Sequence, residues 1–168
     1  MGTWTNGDGL YIKYGPDEVK ETKGGEYMTG GIAGEHVIEL DVDHTMLGTA
    51  AAILADNVVI PKNAFIDRVE IITTTAWDSA SDNFVFNLGT VRLDRSTSAT
   101  AQGLVAALPQ ASMDPAGEYA DVKIGHTYVG SQVGSVTSNP LLITGDYDTG
   151  APTAGKSKIR IIYDFRNV

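Results

Sequence analysis

Apolar and polar residues alternate along several short stretches of the chain. The alternation is clearest in three of them, whose apolar members are Ile38, Leu40 and Val42; Phe84, Phe86 and Leu88; and Ile159, Ile161, Tyr163 and Phe165. Successive side chains of a β-strand point to opposite faces of a sheet, so this period of two predicts three strands that each bury one face. Ile162 is the one apolar residue on the polar side of the last strand.

Further strands are predicted from residue types and turn signals. Residues 57–60 and 65–75 are rich in Val, Ile and Thr, and the turn at Pro61 between them predicts a hairpin or a corner between strands. Weaker strand candidates are residues 10–14, 120–124, 127–129 and 140–144. Eight or so short strands, with turn signals about every 10 residues, predict a single-domain, all-β sandwich or barrel rather than βαβ units.

Helical periodicity is scarce. The apolar residues of segment 100–111 recur at spacings of three and four, which predicts one short helix limited by Gly103 and Pro109. They are Ala101, Leu104, Val105 and Leu108. Residues 49–56 are rich in Ala and are compatible with either a helix or a strand.

The N-terminal part differs in composition from the rest. Residues 15–34 contain Pro16, a mixed cluster of charges and then five glycines, which predicts a linker or long loop. We therefore divide the chain into an arm with its Gly-rich linker, residues 1–34, and a β-sandwich domain, residues 35–168. The aromatic residues of the arm predict that it docks on its own domain or on a neighbour. An ordinary first strand of the sandwich is the alternative.

Composition and charge narrow the functional classes. The chain has 168 residues, the usual size of one domain, and its 21 acidic and 12 basic residues give a net charge of -9. An acidic surface repels phosphate backbones and anionic lipids, so neither nucleic acid nor membrane is an expected partner. No membrane span or signal peptide is predicted. Because the chain has no Cys, disulfides, thiol nucleophiles and thiolate metal sites are excluded.

Residues 150–157 match the phosphate-binding pattern G-x-x-x-x-G-K-S, which ends with Gly155, Lys156 and Ser157. That chemistry needs a helix directly after the Lys and Ser, because the helix N-terminus holds the phosphates. Residues 158–166 alternate as a strand instead. We interpret the pattern as a Gly/Pro loop that leads into the last strand.

Two acidic stretches contain residue types that suit metal ions. Asp41 and Asp43, with His36 and His44 nearby, offer carboxylate and imidazole ligands, but the alternation places both Asp on the solvent side of a strand. Residues 145–150 lack most of the ligands of a calcium loop, and we interpret them as a turn. No metal or other cofactor is therefore expected.

Catalytic chemistry is not indicated. The sequence has no G-x-S-x-G elbow and no H-E-x-x-H helix, and the pairs Glu35–His36 and Asp78–Asp82 are typical of ordinary loops. We expect a protein that is not an enzyme and that acts through surface contacts.

Several short motifs occur in an order that resembles a known family. They are Trp4 followed by Asp8 to Gly15; Ile60, Pro61, Ala64, Ile66, Val69 and Glu70; Asn87, Leu88 and Gly89 before Asp94, Gly103 and Leu104; and Thr153 to Lys156 before Ile159 to Tyr163. In these the chain resembles the small β-rich virion proteins of tailed bacteriophages, especially capsid decoration or cement proteins.

The resemblance implies a jelly-roll-like β-sandwich that assembles as a homotrimer on the exterior of the phage head. There it would bind the major capsid protein and stabilise the capsid lattice, after synthesis in the bacterial host cytoplasm. The arm supplies the expected subunit or capsid contacts, which are Trp4, Leu10, Tyr11, Tyr14 and Tyr27.

Two alternatives stay open. A host-recognition module of a head or tail fibre would bind glycans, with Trp77, Tyr119 and Tyr128 stacking on sugar rings from loops. The chain lacks the repeats or coiled-coil stalk that fibre proteins usually have. A head-completion or tail structural protein is the other alternative, and it predicts rings instead of trimers.

Overall fold

A computed structural model describes residues 2–5, 11–14 and 35–165 of the chain. The strands, in chain order, are β1 (Gly2–Thr5), β2 (Tyr11–Tyr14), β3 (His36–Asp43), β4 (Ala52–Ile53), β5 (Val59–Ile60), β6 (Phe65–Ser79), β7 (Phe84–Arg92), β8 (Thr100–Pro109), β9 (Tyr119–Lys123), β10 (Leu141–Thr149) and β11 (Pro152–Asp164). Single 3₁₀ turns occupy His44–Met46 and Gln110–Ser112. Strands β1 and β2 pair with each other as an antiparallel hairpin.

Strands β3 to β11 form two antiparallel sheets that enclose a common core. The first sheet has the order β3-β11-β6-β9. The second has the order β4-β10-β7-β8, and β5 pairs with β10 on the same edge as β4. This confirms the predicted all-β sandwich.

The pairing of these strands follows a jelly-roll scheme. With β4 and β5 counted as one interrupted strand, eight strands follow one another along the chain. The first pairs with the eighth (β3 with β11), the second with the seventh (β4/β5 with β10), the third with the sixth (β6 with β9) and the fourth with the fifth (β7 with β8). A long hairpin wound in this way into two sheets is a jelly roll.

Strict alternation in the sequence produces the inward faces of three strands. On β3, Leu40 and Val42 are buried while Asp41 between them is exposed. On β11, Ile159 and Ile161 lie fully inside the core. The predicted strands at residues 38–42 and 84–88 are therefore confirmed. The third is confirmed from Ile159 to Tyr163, but β11 ends at Asp164, so Phe165 lies outside the strand and is 48% exposed.

The helix predicted in segment 100–111 is wrong, because Thr100–Pro109 is strand β8. Its apolar residues have helical spacing because the strand is irregular. Phe86 pairs with Leu108 and Leu88 pairs with Val105, so β8 has one residue more than β7 over this interval. A bulge of this kind shifts the inward positions out of the period of two.

Three local predictions also need correction. Residues 127–129 lie in a turn, although Val129 forms one isolated bridge with Val105. The turn interpreted at residues 145–150 is mostly strand, because β10 continues to Thr149. The loop predicted at residues 150–157 is limited to Gly150 and Ala151, because β11 starts at Pro152. In contrast, the Pro61 turn does form a corner, which carries the chain from one sheet to the other.

Candidate interaction surfaces

The candidate metal ligands near residue 40 have other functions in the fold. Asp43 accepts a hydrogen bond of 2.9 Å from the Thr45 amide and so caps a 3₁₀ turn, and hydrogen bonds from Thr45 are the main cause that lowers the Asp43 pKa. His36 is buried and stacks on Tyr163 with ring centroids 5.2 Å apart. Among residues 35–165, no group of three or more His, Asp and Glu side chains is arranged to hold a metal ion.

The two pairs examined for acid-base chemistry have ordinary structural partners. Glu35 accepts a hydrogen bond of 3.1 Å from the Arg68 guanidinium, while its neighbour His36 packs among aromatic rings. Asp78 is exposed on β6, and Asp82 accepts a long hydrogen bond of 3.4 Å from Gln110. Glu35, His36 and Asp82 therefore take part in ordinary structural contacts, while Asp78 faces solvent.

The residues of the G-K-S pattern pack against one large aromatic side chain, Trp77. Gly155 has φ +132, and a Cβ built on it would lie 2.3 Å from Cδ2 of Trp77. The buried Trp77 indole donates a hydrogen bond of 2.8 Å to the Ser157 hydroxyl, and Lys156 between them is exposed. All three residues lie in strand β11, so no helix begins after them whose N-terminus could bind a phosphate.

The aromatic residues proposed for glycan binding lie in three different environments. Trp77 is 1% exposed and stacks on Phe84 with centroids 5.1 Å apart, so the expectation that it sits on a loop is wrong. Tyr128 is partly buried against the core. Tyr119 is 52% exposed at the start of β9, where burial and then the charge of Glu70 raise the pKa of its hydroxyl.

The outer face of the first sheet carries acidic and basic side chains in register. Along one row the cross-strand neighbours are Glu39, Arg160, Glu70 and Asp121, and Arg68 lies on the same face beside Glu70. Below we call these five residues and Lys158 the charged face. The sequence predicts the solvent side of β3 correctly, but only the register shows which charges meet.

Ion pairs connect the cations and anions of the charged face. Lys158 donates to Glu39 at 2.6 Å, which is the main cause that raises the Lys158 pKa, and Arg160 contacts both Glu39 (3.4 Å) and Glu70 (3.3 Å). Arg68 contacts Glu70 and Glu35, and hydrogen bonding to Glu35 is the main cause that raises its pKa. The exposed pair of Lys158 and Glu39 contributes little to the free energy of unfolding, whereas the Glu70 side chain, 12% exposed, is partly buried beside Arg68 and Arg160. This face is therefore a polar surface whose cations and anions pair with one another.

Exposed large apolar side chains are scattered over the described residues. They are Val37, Leu93, Tyr119, Ile124, Val136 and Phe165, of which Ile124 is the most exposed at 67%. Single exposed apolar residues are normal for a folded protein. Of these residues, the sequence predicts a ligand contact only for Tyr119, as a sugar-stacking residue of the glycan-binding alternative.

The residues predicted to form subunit or capsid contacts fall at the N-terminal end. Trp4 lies in β1 and Tyr11 and Tyr14 lie in β2, with Trp4 opposite Ile12 in the hairpin register. Leu10 and Tyr27 lie outside the described residues. The contacts of the arm, and the division of the chain at residue 34, therefore stay predictions.

Comparisons with known proteins give a likeness of fold. No family model matches the chain, and no curated protein sequence does. A chain in the capsid of Ralstonia phage GP4 is similar with a TM-score of 0.52 and 12% identity, over 90% of this chain and 94% of that one. A chain in the acidic stable capsid of Helicobacter pylori bacteriophage KHP30 has a TM-score of 0.48 and 8% identity, over 83% and 90% of the two chains. Within the described residues, no helix is long and apolar enough to cross a membrane.

Proposed function

We propose that this chain is a structural protein of a phage virion and, more specifically, a capsid decoration or cement protein. The observation that carries the proposal is the fold: the two sheets of the jelly roll match a chain in the capsid of Ralstonia phage GP4 over nearly the full length of both. In this proposal the protein binds the major capsid protein on the outside of the head as a homotrimer.

The surface of the described domain suits a protein that assembles on a lattice. Its charged face is neutralised pair by pair, so an approaching subunit meets little unbalanced charge there. Contacts of modest strength are sufficient on a capsid, because many identical copies act together. The arm is the proposed contact segment, because Trp4, Tyr11 and Tyr14 concentrate aromatic area there and burying apolar surface contributes about 25 cal/mol per Å².

The first test is the mass of the full chain in solution. Light scattering over a dilution series is expected to give about 53 kDa, three times the chain mass of 17.8 kDa, and the mass should persist on dilution. The protein should also sediment with isolated capsids. A chain that stays monomeric and does not sediment with capsids would contradict the decoration function, and a larger closed ring would favour a head-completion or tail component.

The arm is tested separately from the fold. Deletion of residues 1–15 is expected to abolish capsid sedimentation without lowering the melting temperature of the sandwich. The matched control is Tyr119→Ala, which removes an exposed aromatic residue from the sandwich itself and should leave sedimentation unchanged. If the deletion leaves both the trimer and capsid binding intact, the proposed arm contacts are wrong.

The structure weakens the hypothesis that the protein binds glycans by aromatic stacking, because one of its three candidate residues is buried. Trp77 lies in the core, so only Tyr119 and Tyr128 of the three aromatic candidates retain any exposed surface. We therefore prefer the decoration function.

A further inference from the structure

A polar cavity of about 320 Å³ lies at one end of the sandwich. The inward-facing residues of β7 run from Phe86 and Leu88 in the core to Thr90 and Arg92 at this end, where Arg92 is opposite Leu141 of β10. Segments 97–100 and 132–139 complete the wall. The change from apolar to polar residues along one face of a strand therefore marks where the core ends and the cavity begins.

The wall of the cavity is rich in groups that bind hydroxyls and anions. It contains seven Ser and Thr residues, two side-chain amides and the Arg92 guanidinium, and none of the described residues that line it is Asp or Glu. This is unusual for a chain with 21 acidic residues. The Val136 and Leu141 side chains supply a small apolar part.

Arg92 differs from the other arginines that the structure describes. Arg68, Arg95 and Arg160 each pair with at least one carboxylate. Arg92 has no ion pair within the described residues. Hydrogen bonds from Ser96, including one of 3.0 Å from its amide, are the main cause that lowers the Asp94 pKa, and the charge of Arg92 contributes to that lowering from nearby. Because no described residue hydrogen-bonds the guanidinium, its donors can bind a carboxylate ligand through two parallel hydrogen bonds.

Some of the polar side chains around Arg92 already form hydrogen bonds within the protein, and others have donors or acceptors left for a ligand. Thr90 donates a hydrogen bond of 2.7 Å to the Gln132 carbonyl oxygen, which fixes that side chain and leaves its amide nitrogen as a donor. The hydroxyls of Thr97, Ser98 and Thr100 have no partner among the described residues. The cavity therefore offers one cation and several hydroxyl or amide groups to the same small ligand.

We propose that this cavity binds a sugar acid, a monosaccharide-sized polyol that carries one carboxylate. Arg92 binds the carboxylate, while the free hydroxyls and the Gln132 amide bind the sugar hydroxyls. The volume lies at the lower end of the range for small-molecule sites. A neutral sugar is a poorer match, because the wall has no aromatic ring on which it could stack. The proposal does not depend on the decoration function.

The test is calorimetric titration of the full chain with D-glucuronate, D-glucose, acetate and inorganic phosphate. Glucuronate is expected to saturate the protein below about 10 mM, and glucose to bind at least about tenfold more weakly because it lacks the charge. Arg92→Gln should weaken glucuronate binding by about tenfold or more. The matched control is Arg95→Gln, which removes a solvent-exposed arginine outside the cavity and should leave binding unchanged.

A second variant covers the case in which Arg92→Gln fails to fold. Ser98 is exposed at the cavity wall, so Ser98→Trp should fill the opening without disturbing the core and should also abolish binding. The proposal is overturned if glucuronate does not saturate the protein, or if both cavity variants bind it as tightly as the wild type. Equal binding of acetate or phosphate would also overturn it, because the cavity would then be a general anion site.

Discussion

The contact between Gly155 and Trp77 predicts that Gly155→Ala is strongly destabilising. The new methyl group would lie 2.3 Å from an atom of the indole ring, far inside the 3.5–4.0 Å at which two carbon atoms normally meet. The ring has little freedom to move away, since it stacks on Phe84 and donates a hydrogen bond to Ser157. The backbone φ of +132 adds a second cost for any residue with a Cβ.

The two costs can be added for an estimate. Overpacking a dense core costs about 1–3 kcal/mol, and a backbone conformation that L-residues rarely adopt costs about 1–2 kcal/mol. Gly155→Ala should therefore lower the free energy of unfolding by about 2–5 kcal/mol. In a domain of this size each kcal/mol lowers the melting temperature by about 2–4 °C, so the expected loss is about 4–20 °C.

A control variant separates the clash from the backbone strain. Gly117 also has a positive φ, +93, but a Cβ there would meet no atom within 4 Å. Gly117→Ala should thus show the backbone cost alone, and urea unfolding of both variants measures the difference. If the two substitutions agree within about 0.5 kcal/mol, the steric argument is refuted.

A double mutant tests whether the cost arises at the indole ring itself. Trp77→Leu removes the ring and is destabilising in its own right, because it leaves the buried Ser157 hydroxyl without its donor. In that background Gly155→Ala should cost about as little as Gly117→Ala. An undiminished cost would place the clash elsewhere in the core.

Three further substitutions have expected outcomes that unfolding experiments can check. Asn87→Ala removes the acceptor of the Ala107 amide (2.8 Å) at the β8 bulge and should cost about 2–3 kcal/mol in urea; a loss below about 0.5 kcal/mol would contradict this. Burial raises the Asp146 pKa, so the wild type should lose stability as pH rises through that pKa, and Asp146→Asn should be relatively more stable at pH 7 than at pH 3; a pH-independent difference would be evidence against it. Glu39→Gln on the charged face should lower the melting temperature slightly in dilute buffer but not in about 1 M salt, because salt screens the ion pair with Lys158. An equal loss of melting temperature in both buffers would show that the effect is not that of a screened ion pair.

The sequence predicts strands well where alternation is uninterrupted. Strand β3 shows this best, because its outward carboxylates face solvent and its inward Leu40 and Val42 face the core. The all-β class follows from such segments together with the frequent turn signals. The order of strands in each sheet does not, because it depends on pairing between residues far apart in the chain.

Prediction is weaker where a strand buries polar residues, and it fails where small residues that usually mark turns lie inside a strand. The start of β10, from Leu141 to Asp146, is buried on both faces and has no polar side to alternate, so the sequence predicts residues 140–144 only as a weaker strand, which the structure confirms. Gly145 was interpreted as part of a turn, yet a Cβ there would lie 2.9 Å from Leu47. A Cβ there would press on the methyl groups of Leu47 and Leu54, which come from another part of the chain, and no local pattern contains this information.

The G-K-S pattern shows that function, like strand position, depends on contacts with distant residues that a local sequence pattern does not contain. In a phosphate-binding loop, Gly allows close approach of the backbone and Ser serves a metal ion. Here Gly155 allows close approach of an indole ring, and the Ser157 hydroxyl accepts a hydrogen bond from the N–H of the same ring. Lys156 lies between them on the strand and is exposed to solvent. Both uses need a small residue and a hydroxyl two positions apart. Only the partner, Trp77, about eighty residues away in the sequence, decides between them.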